Sequence, residues 1–140
     1  MTGVKYLEES LALSLDFQKL PRIAASGVPL LPVVVQDVLS REVLLVAYVN
    51  EEALRLSLAE KRAVFYSTSR GEIWRKGDTS GDVLYLEEVR VNCEQNSLLF
   101  LVRKAHAGAC HTKNAKGDHR TTCYYRRVVD KELSPVVGVF

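Results

Sequence analysis

Between Leu31 and Val129 the chain is a succession of short runs rich in Val, Leu, Ile and Tyr, cut apart by turn residues. Nothing else in the sequence limits the possible folds as strongly, because such runs are too short for long helices and suit strands. Residues 31–37 and 42–49 flank a turn at Ser40-Arg41 and predict a hairpin. Residues 63–69 and 72–76 predict two strands around Arg70-Gly71, and residues 83–92 alternate, with Val83, Tyr85, Val89 and Val91 on one side. Residues 97–103 and 124–129 predict two more. One well-marked helix interrupts them over 51–61: Asn50 is a good N-cap, Glu51 and Glu52 sit in the favourable first turn, and Leu54 and Leu58 share a face. A second, amphipathic helix is expected over 5–15 from Leu7, Leu11 and Leu15, with Pro21 and Gly27-Val28-Pro29 then breaking regular structure. The fold class predicted is α+β, a mostly antiparallel β-sheet domain with one or two short helices. Its parts are an N-terminal helical extension over 1–29, a sheet domain over 30–129 and a C-terminal tail over 130–140.

A chain of 140 residues, 47% hydrophobic and 26% charged, makes one folded unit and is neither disordered nor fibrous. Its 19 basic and 17 acidic residues leave a net charge of +2, too balanced to suggest nucleic acid as a partner. No apolar run approaches the roughly 20 residues that cross a bilayer, and no charged leader with an apolar core opens the sequence. A cytoplasmic protein with reduced thiols and no membrane partner is expected. In that setting grouped cysteines more often bind metal or do chemistry than cross-link.

The cysteines, Cys93, Cys110 and Cys123, number three and all lie in the last third of the chain. Cys93 follows one predicted strand, Cys110 follows the next, and Cys123 precedes the last, so all three are expected to meet at one end of the sheet. Three thiolates suit zinc, and a three-ligand site leaves the fourth tetrahedral position open to water, as catalytic zinc sites do. Spacing alone reads equally well as separate buried cysteines acting as small apolar residues. A closed structural site completed by His111 or His119 is the other alternative.

Two further segments carry polar chemistry. In Asn92-Cys93-Glu94-Gln95-Asn96 an extended backbone places Asn92, Glu94 and Asn96 on one side, a set of oxygens for a cation such as Mg²⁺, though an Asn-rich turn is the plainer reading. In residues 74–81, Trp74, Lys76, Thr79 and Ser80 combine an aromatic plate, a cation and two hydroxyls with two glycines. Such a loop either holds a phosphate or is an ordinary solvated hairpin loop, and Arg70 lies one strand earlier.

Taken in order, Ala47-Tyr48-Val49-Asn50-Glu51-Glu52-Ala53, Tyr66-Ser67-Thr68-Ser69-Arg70, the W-x-K-G-x-T-S-G box at 74–81, the Cys93 segment, and Cys110-His111-Thr112 with Cys123 resemble the phosphoribosyl-AMP cyclohydrolase family of histidine biosynthesis. The resemblance implies a zinc-dependent homodimer that hydrolyses the N1–C6 bond of the purine ring. It also implies that Cys93, Cys110 and Cys123 bind zinc with ligands drawn from both subunits, and that Arg70, Trp74, Lys76, Thr79 and Ser80 line the nucleotide site. His111, beside Cys110, is the candidate for proton transfer.

The sequence departs from the family pattern twice. Asn92, Glu94 and Asn96 stand where the family typically has three aspartates, so Mg²⁺ is expected to bind more weakly. Between Cys110 and Cys123, a segment about twice as long as usual carries Lys113, Lys116, Gly117, His119 and Arg120, either to close over a phosphate or to form a longer solvated turn. Two other functions stay open: a related enzyme acting on another purine-type nucleotide, and a non-catalytic, zinc-stabilised nucleotide-binding or interaction module.

Overall fold

A computed structural model describes residues 3–140. Its framework is a four-stranded sheet in the order β2-β1-β6-β5, built from β1 (Leu31–Asp37), β2 (Val43–Val49), β5 (Leu84–Val91) and β6 (Leu98–Lys104). The β1–β2 pair is an antiparallel hairpin, as the turn at Ser40-Arg41 predicts, and β5–β6 is a second one, but β1 and β6 join the hairpins in parallel, from Val33 opposite Leu98 to Asp37 opposite Val102. Central β1 and β6 read Val-Val-Val and Leu-Leu-Phe-Leu-Val because their inner face is fully buried. Val33, Val35, Phe100 and Val102 are wholly inaccessible.

Helix α3 (Glu51–Glu60) starts where the sequence places it: Asn50 Oδ1 accepts the Ala53 N–H at 2.8 Å. Lys61 then takes a left-handed conformation, φ 55°, and stops the helix. Buried Ser57 ties the helix to β3 (Val64–Ser67): its hydroxyl lies 2.9 Å from both the Val64 N–H and the Val64 carbonyl. β3 pairs with β4 (Glu72–Arg75), which closes the core by setting the Phe65 ring 6.1 Å from Phe100 and 5.7 Å from Trp74.

The ends of the chain differ from expectation. The first helix, α1 (Gly3–Glu9), is shorter than the predicted 5–15, and Leu11 and Leu15 lie exposed beyond it. α2 (Lys19–Ala25) runs straight through Pro21. Pro21 is the third residue of that helix, where the amide has no partner within the helix, so the proline that was expected to break structure is tolerated there. Residues 126–135 form a further hairpin, β7 (Arg126–Val129) with β8 (Glu132–Pro135), whose second strand the sequence reading missed. Among the described residues no helix is long and apolar enough to cross a membrane.

One sheet face is covered by α3 and the β3–β4 pair, whereas the opposite face carries an apolar row. Val46, Val34 and Leu99 stand side by side across β2, β1 and β6 in register, and the first two are exposed.

A cysteine pair beside an open cleft

The site begins at the end of β6. The chain passes Gly108 and Ala109 to Cys110, folds back through a small hairpin over 112–120, and returns at Cys123 to β2. The Arg120 carbonyl accepts both the Ala109 and Cys110 N–H groups at 2.9 Å, and the Cys123 N–H reaches the Leu44 carbonyl at 2.7 Å. Thr122 adds a hydroxyl bond to the Val43 carbonyl at 2.7 Å. These bonds fix Cys110 and Cys123 side by side.

The Thr112 hydroxyl lies 3.0 Å from the Cys110 sulfur, and the Cys110 thiol is held down to about 5, first by the neighbouring Cys123 thiol and then by Thr112. The same neighbour, Cys110, pushes the exposed Cys123 thiol well above the usual thiol range. The Cys110 sulfur is therefore anionic at neutral pH and has a second sulfur beside it, a donor chemistry that fits zinc.

Cys93 does not join them within one chain. It lies in the exposed turn after β5, next to the Val91–Leu98 end of the hairpin, whereas Cys110 follows the Leu84–Lys104 end. Seven strand steps separate the two ends, about 23 Å at the usual rise. The expectation that all three cysteines meet at one end of the sheet of a single chain is thus overturned by the chain direction: β5 runs away from the pair. Among the described residues no three metal-ligating side chains gather.

The turn itself is closed by its own polar atoms. Asn92 Oδ1 accepts the Asn96 and Ser97 N–H groups at 2.9 Å, Asn92 Nδ2 donates to Asn96 Oδ1 at 2.6 Å, and Asn96 Nδ2 donates to Glu94 Oε2 at 3.1 Å. Gln95 is left-handed, φ 56°. The segment is a turn, the plainer of its two readings, and the turn brings Asn92, Glu94 and Asn96 together without an extended backbone.

Beside the cysteine pair lies a cleft of about 560 Å³, a size that suits a nucleotide. Its lining includes Arg70, Trp74, Lys76, Thr79, Ser80 and His111, so the nucleotide box and the histidine that follows Cys110 face one space. Lys76 is buried, with Nζ 5.8 Å from the centre of the Trp74 ring, and burial lowers its pKa while Asp82 and the two cysteines oppose that shift. The box needs its first glycine: Gly77 has φ 89°, and a Cβ there would sit 2.4 Å from the Val83 nitrogen.

His111, His119 and Arg120 have partners of their own. His111 contacts the Glu8 carboxylate of α1, and His119 contacts Asp82, so neither completes a four-ligand site with the cysteines in this chain. Arg120, expected within a phosphate-closing loop, is buried instead. Its guanidinium lies 4.1 Å from the Tyr125 ring centre, bonds the Phe140 carbonyl at 3.0 Å and reaches Glu9 at 3.3 Å. Of the lysines and arginine on the longer segment Lys113 and Lys116 are exposed, and the segment is pinned as a hairpin by Asn114 and Asp118. The N-terminal extension braces this region: the Tyr125 hydroxyl donates to the Glu8 carbonyl at 2.7 Å, and Arg126 donates to the Leu7 and Ser10 carbonyls at 2.7 and 2.6 Å.

A family model described as phosphoribosyl-AMP cyclohydrolase matches residues 45–125, the stretch that holds the box, the cleft and all three cysteines. A phosphoribosyl-AMP cyclohydrolase of Archaeoglobus fulgidus is 43% identical over 74% of this chain and 90% of its own length. Another, from Brucella anthropi, is 45% identical over 79% of this chain and 73% of its own. A histidine biosynthesis bifunctional protein of Caldanaerobacter subterraneus is 35% identical over 79% of this chain and 60% of its own.

Proposed function

Since the chain belongs to the phosphoribosyl-AMP cyclohydrolase family, hydrolases acting on C–N bonds, we propose that it opens the purine ring of phosphoribosyl-AMP by hydrolysing the N1–C6 bond, a step of histidine biosynthesis. The observation that carries this reading is the meeting of two segments far apart in sequence, the W-x-K-G-x-T-S-G box and His111 beside Cys110, on one nucleotide-sized cleft.

Zinc fits the cysteine pair if a second copy of the chain supplies the third sulfur. Cys110 and Cys123 of one chain with Cys93 of the partner subunit would hold it, and the row of exposed Val34 and Val46 with half-buried Leu99 offers an apolar face for such a homodimer. When bound, the metal supplies Lewis acidity that makes water a competent nucleophile near neutral pH. The chain's own groups do the rest. Lys76 and Arg70 counter the phosphates, Thr79 and Ser80 offer hydroxyl donors to them, and Trp74 gives the base an apolar wall. His111 takes a proton from the attacking water.

A second reading, turnover of a different purine-type nucleotide, is favoured by the 92–96 turn. Its oxygens already bond one another, and with Glu94 as the sole carboxylate Mg²⁺ has to displace those bonds for little charge in return. Purified protein assayed with phosphoribosyl-AMP across a Mg²⁺ titration separates the two. Ring-opened product, with any Mg²⁺ stimulation saturating late, is the expected result. Absence of product at every Mg²⁺ concentration would favour the other nucleotide.

A further inference from the structure

The cleft has two imidazoles, and only His111 belongs to the cysteine motif; the other, His119, arrives on the longer segment between Cys110 and Cys123. It is firmly placed. Nδ1 of His119 contacts the carboxylate of Asp82, a residue only 5% exposed at the end of the nucleotide box, and the Ser80 hydroxyl in turn accepts the Asp82 N–H at 3.2 Å. Asp82 also lies near enough to Lys76 for their charges to attract. Behind the imidazole the backbone of Gly108 approaches so closely that a Cβ on it would stand 2.6 Å from the His119 Cβ. A buried carboxylate holding one ring nitrogen of a histidine that lines a cleft is the arrangement by which aspartate orients a working histidine and meets the charge that forms on it. With Nδ1 engaged, Nε2 is the atom left for a ligand.

We infer that His119, oriented by Asp82, is a second proton-transferring residue of the cleft and gives the departing ring nitrogen its proton. This rests on the ring-opening reaction proposed above. Taking the neutral, imino form of the purine, the water oxygen bonds to C6 and the C6–N1 bond breaks. One water proton passes to His111 and the other to the exocyclic nitrogen on C6, N1 receives a proton from Nε2 of His119, and proton exchange through solvent resets the two imidazoles. No electron is gained or lost. Asp82, which touches no substrate, is a positioning residue acting through His119.

The test uses the zinc-loaded enzyme and two variants. In His119→Asn the amide still donates to Asp82 but nothing replaces Nε2, so kcat is expected to fall about a hundredfold while KM stays within about twofold. Zinc content and melting temperature are expected to match wild type. In His119→Ala, added imidazole is expected to restore turnover in proportion to its concentration. A His119→Asn enzyme with wild-type kcat would overturn the inference. So would a loss of kcat matched by a lowered melting temperature and not rescued by imidazole, since the histidine would then only pin the loop. A wild-type protein inactive on phosphoribosyl-AMP overturns the ring-opening reading itself, and this inference with it, whereas an active wild type with an undiminished variant overturns this inference alone.

Discussion

Cys110→Ser is expected to lower turnover of phosphoribosyl-AMP by about a thousandfold or more, equivalent to about 4 kcal/mol of barrier. Serine nearly matches the thiol in size, so the change isolates charge. The Cys110 sulfur is anionic at neutral pH because the Cys123 S–H, the Thr112 hydroxyl and a backbone amide all stabilise its charged form. A serine hydroxyl in the same place keeps its proton, and a hard neutral oxygen is a poor zinc ligand. Zinc content is therefore expected to fall along with kcat, read by elemental analysis of the same preparation. Thr112→Val removes one hydrogen bond of 3.0 Å and leaves both sulfurs, so its effect is expected to be far smaller. A Cys110→Ser protein that retains wild-type turnover would mean that the cysteine pair is structural packing.

Mixing two inactive variants is expected to restore activity. Because Cys93 lies at the opposite end of the β5–β6 hairpin from Cys110, a complete set of three sulfurs needs two chains. Cys93→Ser and Cys110→Ser proteins should each be inactive alone. In a hybrid dimer, Cys93 of the Cys110→Ser chain meets the intact Cys110 and Cys123 of the Cys93→Ser chain, so one of its two sites is whole. After unfolding and refolding together, random pairing makes half the dimers hybrids, and about a quarter of wild-type activity per site is expected. Refolded mixtures that stay as inactive as their parents would place all three sulfurs in one chain, against the geometry of β5.

The elements read most directly from sequence are those whose cause is local. Asn50 caps α3 through its own side chain, the 31–37 and 42–49 runs pair across a turn, and the cleft-lining role of Trp74 and Lys76 follows from β4 feeding the glycine-rich loop. What escaped the sequence depends on long-range placement. Parallel pairing of β1 with β6 leaves the same alternation in each strand as antiparallel pairing would. Pro21 reads as a breaker in the sequence because its position within a helix first turn is not visible from the residue itself. The short β8 run Glu132-Leu133-Ser134-Pro135 is half polar and is held by its pairing with Arg126 to Val129, and by the N-terminal segment through the Leu133 N–H on the Leu11 carbonyl at 3.0 Å.

The site shows the same division. That Cys110 and Cys123 belong together was legible; that β5 carries Cys93 to the far end was not, since the motif records order and spacing but not direction. Asp82 and His119 lie 37 positions apart and carry no shared motif, so only the fold brings them into contact. A signal did exist for each: an acidic residue directly after a T-S-G box, and a histidine in a segment longer than the family pattern. Arg120 gave the opposite lesson. Among the basic residues of that segment it looked like a phosphate ligand, but Tyr125, Phe140 and Glu9 surround it and leave it 3% exposed.

Metal reconstitution separates a zinc-dependent hydrolase from a metal-free one. The protein is stripped of metal with a chelator, zinc is returned in measured fractions of one per chain, and initial rates of phosphoribosyl-AMP ring opening are followed at each step. The account predicts no turnover without metal and a linear rise that ends at one zinc per chain. Full activity in the zinc-free protein would contradict it.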